Sequence, residues 1–248
     1  LASRAEISVP YLAALKAGEP LTAVLRRVAR HLRLGPDALE ASALRKWYPA
    51  QPNFPTGFAI FNTASDDVMV NSYLVWDSRS KLAAAFDTGG NCDAMLDTIT
   101  SERLKVEYIF LTHTHEDHVE RLPELATATK AEVWASEREP AAFPGAKTFK
   151  ENVHFHLGQL AIKTLLTSGH SPGMTTYYIT GLSWPVAVVG DALFAGSMGG
   201  GSPAGFVEQY KNNKEKILTL PRDTVLACGH GPLTTLGQEK QHNPFLAR

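Results

Sequence analysis

Cysteine is nearly absent from this chain. Cys92 and Cys228 are the only two in 248 residues, far apart and outside any Cys-x-x-Cys pair. That pattern argues against a disulfide framework, and a reducing, cytoplasmic setting is the expectation. Long apolar runs are missing as well. None approaches the roughly 20 residues a membrane helix needs, and no signal peptide is visible at the start, so no membrane partner is expected. An excess of charge is also lacking. The 24 basic and 25 acidic side chains leave a net charge of -1. Nucleic acid would demand a basic surface, so the expected partner is a small-molecule substrate. With 44% hydrophobic residues, the chain can bury one large core with an appendage.

What the chain does have is a dense histidine cluster. Leu111-Thr112-His113-Thr114-His115-Glu116-Asp117-His118 holds four metal-capable side chains, His113, His115, Asp117 and His118, in six positions. The apolar, β-prone run Val106–Leu111 precedes it and reads as a buried strand. The cluster therefore sits past a strand's carboxyl end, where open α/β folds place their sites. His113 and His115 are two apart, so an extended backbone points both to one side. Asp117 and His118 follow as the chain turns into a helix, which suits two adjacent metals better than one. Three more candidates each follow an apolar run in a glycine-rich turn: His170 after Gly169, Asp191 after Gly190, and His230 between Gly229 and Gly231. Seven nitrogen and oxygen donors without cysteine suit zinc, iron or manganese, with zinc favoured.

Around this set the chain divides in two. Residues 1–50 read as a helical N-terminal extension, with helices over 11–16, 21–34 and 37–48. Eight basic residues face four acidic ones over residues 1–48. Arg26, Arg27, Arg30 and Arg33 share a solvated face of the second helix. The extension is expected to pack on the main body or on a second subunit, as in a homodimer. His31 is read as structural or exposed. Pro49, Pro52 and Pro55 make 49–55 a linker. Residues 51–248 then form the second unit. Strands are expected over 58–61, 68–76, 81–86, 106–111, 132–135, 153–157, 160–166, 175–179, 185–189 and 225–227. Helices are expected over 92–100, 118–129 and 206–218, with a loop over 143–149. His154 and His156 alternate within a hairpin and read as strand-face residues. Two β-layers between helices, with the site at one sheet edge, is the architecture this order suggests.

His-x-His-x-Asp-His followed by a spaced His, Asp and His resembles the metallo-β-lactamase fold superfamily, from about Asn53 to the C-terminus. The resemblance implies an α+β, four-layer αβ/βα sandwich with an N-terminal helical appendage. It assigns His113, His115 and His170 to one metal and Asp117, His118 and His230 to a second, with Asp191 bridging. Two divalent ions would share a hydroxide that attacks the substrate carbonyl, and the catalytic residue Asp117 would orient it. Asp87, in Asp87-Thr88-Gly89, would lie near the site. Its two readings are a carboxylate orienting a ligand histidine and a residue fixing a tight turn.

Within that superfamily, Gly190-Asp191-Ala192-Leu193-Phe194 and the stretch from Gly231 to Leu246 look like the glyoxalase II branch. A thioester of the hydroxyacylglutathione type is the implied substrate. Two positions depart from the branch. Gly200 stands where members carry an Arg or Lys that grips a glutathione carboxylate, and Pro232 stands where longer members carry a tyrosine. Lactone, other ester or β-lactam hydrolysis on the same core is one alternative, and Asp191 speaks against the β-lactam case. A mononuclear iron persulfide dioxygenase, using His113, His170 and Asp191, is another. A binding protein without catalysis is the remaining class, and the complete ligand set speaks against it.

Overall fold

The computed structural model describes residues 1–140 and 143–247. Twelve strands make two mixed six-stranded sheets among those residues. The first sheet runs in order β1 (Phe58–Ser65), β2 (Val68–Trp76), β3 (Leu82–Phe86), β4 (Lys105–Phe110), β5 (Glu132–Ser136) and β6 (Lys147–Phe149). β1 to β3 are antiparallel neighbours, and β3 to β6 are parallel. The second sheet contains β7 (His154–Leu157), β8 (Leu160–Leu166), β9 (Thr175–Thr180), β10 (Val186–Gly190), β11 (Val225–Cys228) and β12 (Thr234–Thr235), also in chain order across the sheet.

The strands read as near-continuous apolar runs because both faces of each sheet are covered. Alternation sorts their side chains into layers. Tyr73 and Val75 face the layer between the sheets, where Phe86, Phe110, Phe155, Ile162, Tyr177 and Val188 meet them. Leu74 points the other way, toward α4 (Asp93–Ser101) and α6 (Leu122–Thr129), with Met95, Leu122 and Leu125. Ala187, Val189 and Leu226 face Ile217 and Leu236 on the outer side of the second sheet. Helix, sheet, sheet, helix is thus the expected α+β four-layer sandwich.

Several boundaries differ from expectation. The helix expected over 118–129 is two pieces, α5 (Glu116–Val119) and α6, because Pro123 starts a new helix after Arg121. The helix expected over 206–218 begins earlier. α7 (Pro203–Asn212) has Pro203 in its first turn and Ser202 as its cap, and it widens into a π-turn over Asn213–Ile217. Part of the loop expected over 143–149 is strand β6, too short for its period to be legible. α8 (Leu236–His242), capped by Thr235, had no expectation, since Gly237 masks its helical pattern.

Residues 1–50 form α1 (Val9–Lys16), α2 (Thr22–Leu32) and α3 (Pro36–Ala43). They pack on the main body near the C-terminal segment. Gly35 N–H donates to the Pro244 carbonyl, and Trp47 stacks on His242 at 4.9 Å between ring centroids. Gln238 closes a two-way bond with the Ala50 backbone. His31 is exposed, and His154 and His156 lie on the exposed face of β7, outside every candidate metal group of the described residues. No helix of the described residues is long and apolar enough to cross a membrane.

Candidate metal centre

The predicted ligands come from the ends of core strands and from one short helix. β4 runs into the turn that bears His113 and His115. The short helix α5 carries Asp117 and His118. The turn between β8 and β9 supplies His170, Asp191 directly follows β10, and His230 lies two residues past β11. The fold brings all seven together in three overlapping groups: His113, His115 and His170; His113, His118 and Asp191; and Asp117, His118 and His230. Within each group the ligand atoms lie within 4.8 Å of one another.

The distances show how tight the array is. His115 Nδ1 stands 3.0 Å from both His113 Nε2 and His170 Nε2. Asp191 lies between the two histidine sets. Its Oδ1 is 3.3 Å from His118 Nε2, and its Oδ2 is 3.4 Å from both His170 Nε2 and His230 Nε2. Asp117 Oδ2 is 3.3 Å from His230 Nε2 and 3.5 Å from His118 Nε2.

Outer hydrogen bonds fix which ring nitrogen faces inward. The Nδ1 of His170 contacts the Gly200 carbonyl at 2.8 Å, and that of His230 contacts the Met69 carbonyl at 2.7 Å. A carbonyl only accepts, so both Nδ1 atoms carry the proton and both Nε2 lone pairs point into the cluster. His118 Nδ1 donates to Asp87 Oδ2 at 2.8 Å. Asp87 also accepts from the Thr112 hydroxyl at 2.7 Å, which leaves that oxygen free to accept from His113 Nδ1 at 3.0 Å. Four inward-facing imidazoles, each anchored through its far nitrogen, match how metal-ligating histidines are held.

Two further observations fit a cation here. His118 Nε2 and Asp191 Oδ1 are buried and make no hydrogen bond, although buried polar atoms are nearly always paired. The donors are all nitrogen and oxygen. Nearby Cys228 is fully buried, and burial pushes its thiol well above the ordinary range.

The electrostatics point the same way. Burial alone would lower His118, yet the carboxylates of Asp87 and Asp191 outweigh it and raise the imidazole to about 10. His230 is also raised to about 10, chiefly by its hydrogen bond with Asp117 and then by Asp191. His113 moves down, because burial and then neighbouring His118 disfavour its charge. Burial opposes charge on Asp191 and Asp117, but their histidine contacts prevail and hold both carboxyls below the usual range. The carboxylates that hold protons on His118 and His230 would hold a cation in their place.

Both readings of Asp87 apply. It has φ of 55°, so it occupies a tight left-handed turn, and it also orients His118. Sequence reasoning missed other organisers of the site. Asn71 Nδ2 donates to the Cys228 and Gly231 carbonyls and pins the His230 turn. Tyr73 Oη also donates to the Cys228 carbonyl. The Gly200 carbonyl, which leaves no mark in residue type, orients His170.

Comparison with known proteins gives a consistent picture. The family model described as "Metallo-beta-lactamase superfamily" matches residues 65–230. A hydroxyacylglutathione hydrolase named GloC, from Haemophilus influenzae, is 31% identical over 71% of this chain and 92% of its own length. A probable metallo-hydrolase named YqgX, from Bacillus subtilis, is 29% identical over 72% of this chain and 93% of its own. Among solved structures, the BLEG-1 B3 metallo-beta-lactamase superposes with a TM-score of 0.66 and 29% identity, covering 77% of this chain and all of that one. TTHA1623, solved in a di-iron-bound form, gives a TM-score of 0.63 and 27% identity over 75% of this chain and all of its own.

Proposed function

The chain belongs to the metallo-β-lactamase superfamily, in its glyoxalase II-like branch, and we propose that it is a dinuclear hydrolase cleaving a thioester of the hydroxyacylglutathione type. The observation that carries this reading is the convergence of seven donors with their outer nitrogens tied. His113, His115 and His170 would hold one divalent ion, Asp117, His118 and His230 a second, and Asp191 would contribute to both. The di-iron form of TTHA1623 supports a pair; the donors suit zinc, iron or manganese, and zinc is our choice for this chain. When bound, such a pair supplies Lewis-acid polarisation of a carbonyl and a water of lowered pKa.

The chain's own residues do the rest. Asp87 keeps the proton of His118 on Nδ1, and the Gly200 and Met69 carbonyls do the same for His170 and His230. Asp117 is half-buried at the cleft and stays ionised beside His230. Its carboxylate would orient the attacking water.

A second reading, hydrolysis of an uncharged ester or lactone, is favoured by the cleft itself. Asp66, Asp67 and Glu116 line it beside His115 and His230, and no Lys or Arg of the described residues does. That acidic rim and the absence of a cation at Gly200 both weaken the grip on the carboxylates of glutathione. The test is metal content per chain together with hydrolysis of S-lactoylglutathione. Two ions and thioester turnover support the reading. Two ions with turnover only of lactones or neutral esters move the assignment to the second reading, and a single iron per chain sinks both.

A further inference from the structure

We propose that Glu139 is the positioning residue that sets the spacing of the three-histidine half of the metal centre. It lies on neither ligand turn but just past β5, where its N–H donates to the Ser136 carbonyl. Its carboxylate takes four hydrogen bonds, two on each oxygen. Oε2 accepts from Thr114 N–H at 3.0 Å and from the Thr114 hydroxyl at 2.8 Å. Oε1 accepts from the Ser171 hydroxyl at 2.5 Å and from Gly173 N–H at 2.6 Å.

The position of those donors is what gives the contact meaning. Thr114 lies between His113 and His115, and Ser171 directly follows His170. One carboxylate thus ties the turn after β4, from the first sheet, to the turn between β8 and β9, from the second. The side chains on either side of the tie are those whose ring nitrogens meet at 3.0 Å. A backbone bond from Thr175 N–H to the Thr112 carbonyl and the bond from Tyr177 Oη to the Leu111 carbonyl also join the two segments, but neither adjoins His115 or His170 in the chain. Gly173 is fitted to the arrangement: a Cβ there would lie 2.8 Å from Glu139 Cγ and N, so a larger residue would push the carboxylate off its donors.

The two carboxylates therefore organise the centre in different ways. Asp87 bonds His118 directly and reaches His113 through Thr112, whereas Glu139 grips the backbone on both sides of the gap between His115 and His170. Groups bonded directly to metal ligands typically contribute about 10- to 100-fold in metal affinity, and a tie on the residues flanking those ligands is expected to reach at most that range. For Glu139 this effect falls on one ion of the pair, the one held by His113, His115 and His170. The inference rests on the dinuclear reading but not on the substrate.

The test is a zinc titration of chelator-stripped protein against a chromophoric competitor, for the wild type, Glu139→Gln and Glu139→Ala. Wild type should take up two equivalents. In Glu139→Ala one equivalent should weaken by about 10- to 100-fold while the other stays within about threefold. Glu139→Gln, which keeps one accepting oxygen, should fall between. Two unchanged equivalents would overturn the proposal. So would equal weakening of both, with a matching loss of thermal stability in the stripped protein, since that is general structural damage. Should Glu139→Ala not fold, Ser171→Ala removes one of the four bonds and should still weaken a single equivalent, by about three- to tenfold. Absence of thioester turnover in the wild type would sink the proposed substrate and leave this test standing. Uptake of a single ion by the wild type would overturn the dinuclear reading and, with it, the assignment of Glu139 to one ion of a pair.

Discussion

Asp87→Asn separates the two jobs of one residue. Asn tolerates the left-handed backbone nearly as well as Asp, so the turn at φ of 55° survives the change. The hydrogen bonding does not. One amide oxygen can still accept from Thr112 N–H, which now bonds Oδ1 at 2.7 Å. The amide nitrogen then replaces Oδ2 and faces two donors, the Thr112 hydroxyl and His118 Nδ1–H. The hydroxyl can turn, but the imidazole can keep a bond only by moving its proton to Nε2, the atom that must be bare to bind a metal. Losing a correctly held ligand of this kind costs about 10- to 100-fold in metal affinity. That corresponds to roughly 1.4–2.8 kcal/mol, at 1.4 kcal/mol per tenfold.

The assay is the midpoint of metal uptake against a competing chelator, with hydrolytic activity followed at limiting and saturating metal. Activity should be lost at limiting metal and substantially restored by excess. An Asn variant with metal affinity within threefold of wild type would refute the orienting role and leave Asp87 as a turn residue alone. Asp87→Ala makes a useful contrast. It adds backbone strain of about 1–2 kcal/mol, so it should also lower the stability of the metal-free protein.

Further outcomes follow from the same geometry. Gly200→Arg should lower the KM for S-lactoylglutathione by about tenfold without changing kcat, because a Cβ there meets nothing within 4 Å and an anion-binding cation becomes available; an unchanged KM would place the leaving group elsewhere. Metal loading near pH 8 should release about one to two protons, since His118 and His230 are raised to about 10 and must be neutral to bind, and calorimetry in two buffers of different ionisation enthalpy reads this directly. The sign reverses for the metal-free fold. The raised imidazole of His118 stabilises it fully below its ordinary 6.5, and that contribution fades as pH rises toward about 10, so urea unfolding of stripped protein should show stability falling across that window while metal affinity climbs. Asp77 accepts from the Ser80 hydroxyl and from the backbone N–H groups of Arg79, Ser80 and Gln159, which lower its pKa with the Ser80 hydroxyl foremost. Asp77→Ala should cost about 1–3 kcal/mol at neutral pH and remove stability that the wild type loses only as pH falls through the carboxylate range.

The sequence exposed the ligands because metal chemistry demands particular side chains, and four of them fall within six positions behind an apolar strand. It exposed the sandwich because two buried faces leave unbroken apolar runs at strand length. The supports were hidden for a physical reason. Met69 and Gly200 act through backbone carbonyls, which leave no trace in residue type, and Met69 stands 161 positions from the histidine it holds. Glu139 looks like any surface glutamate until the β8–β9 turn folds over it.

The carbonyl at Gly200 also bears on how this chain diverges from its branch. His170 is oriented by an oxygen that any residue at position 200 would supply, so the side chain there is free to change without loosening the metal centre. The open space beside Gly200 and the acidic rim of Asp66, Asp67 and Glu116 lie outside the ligand set, whereas Asp87 and Glu139 act on it from within. On the proposed reading, metal holding and substrate choice would be controlled by different residues. Variants of the rim and of position 200 should move KM and its salt dependence at constant metal affinity, and variants of Asp87 and Glu139 should do the reverse. A rim variant such as Asp67→Lys that altered metal uptake would break this division, because it would mean the acidic cleft contributes to holding the ions themselves.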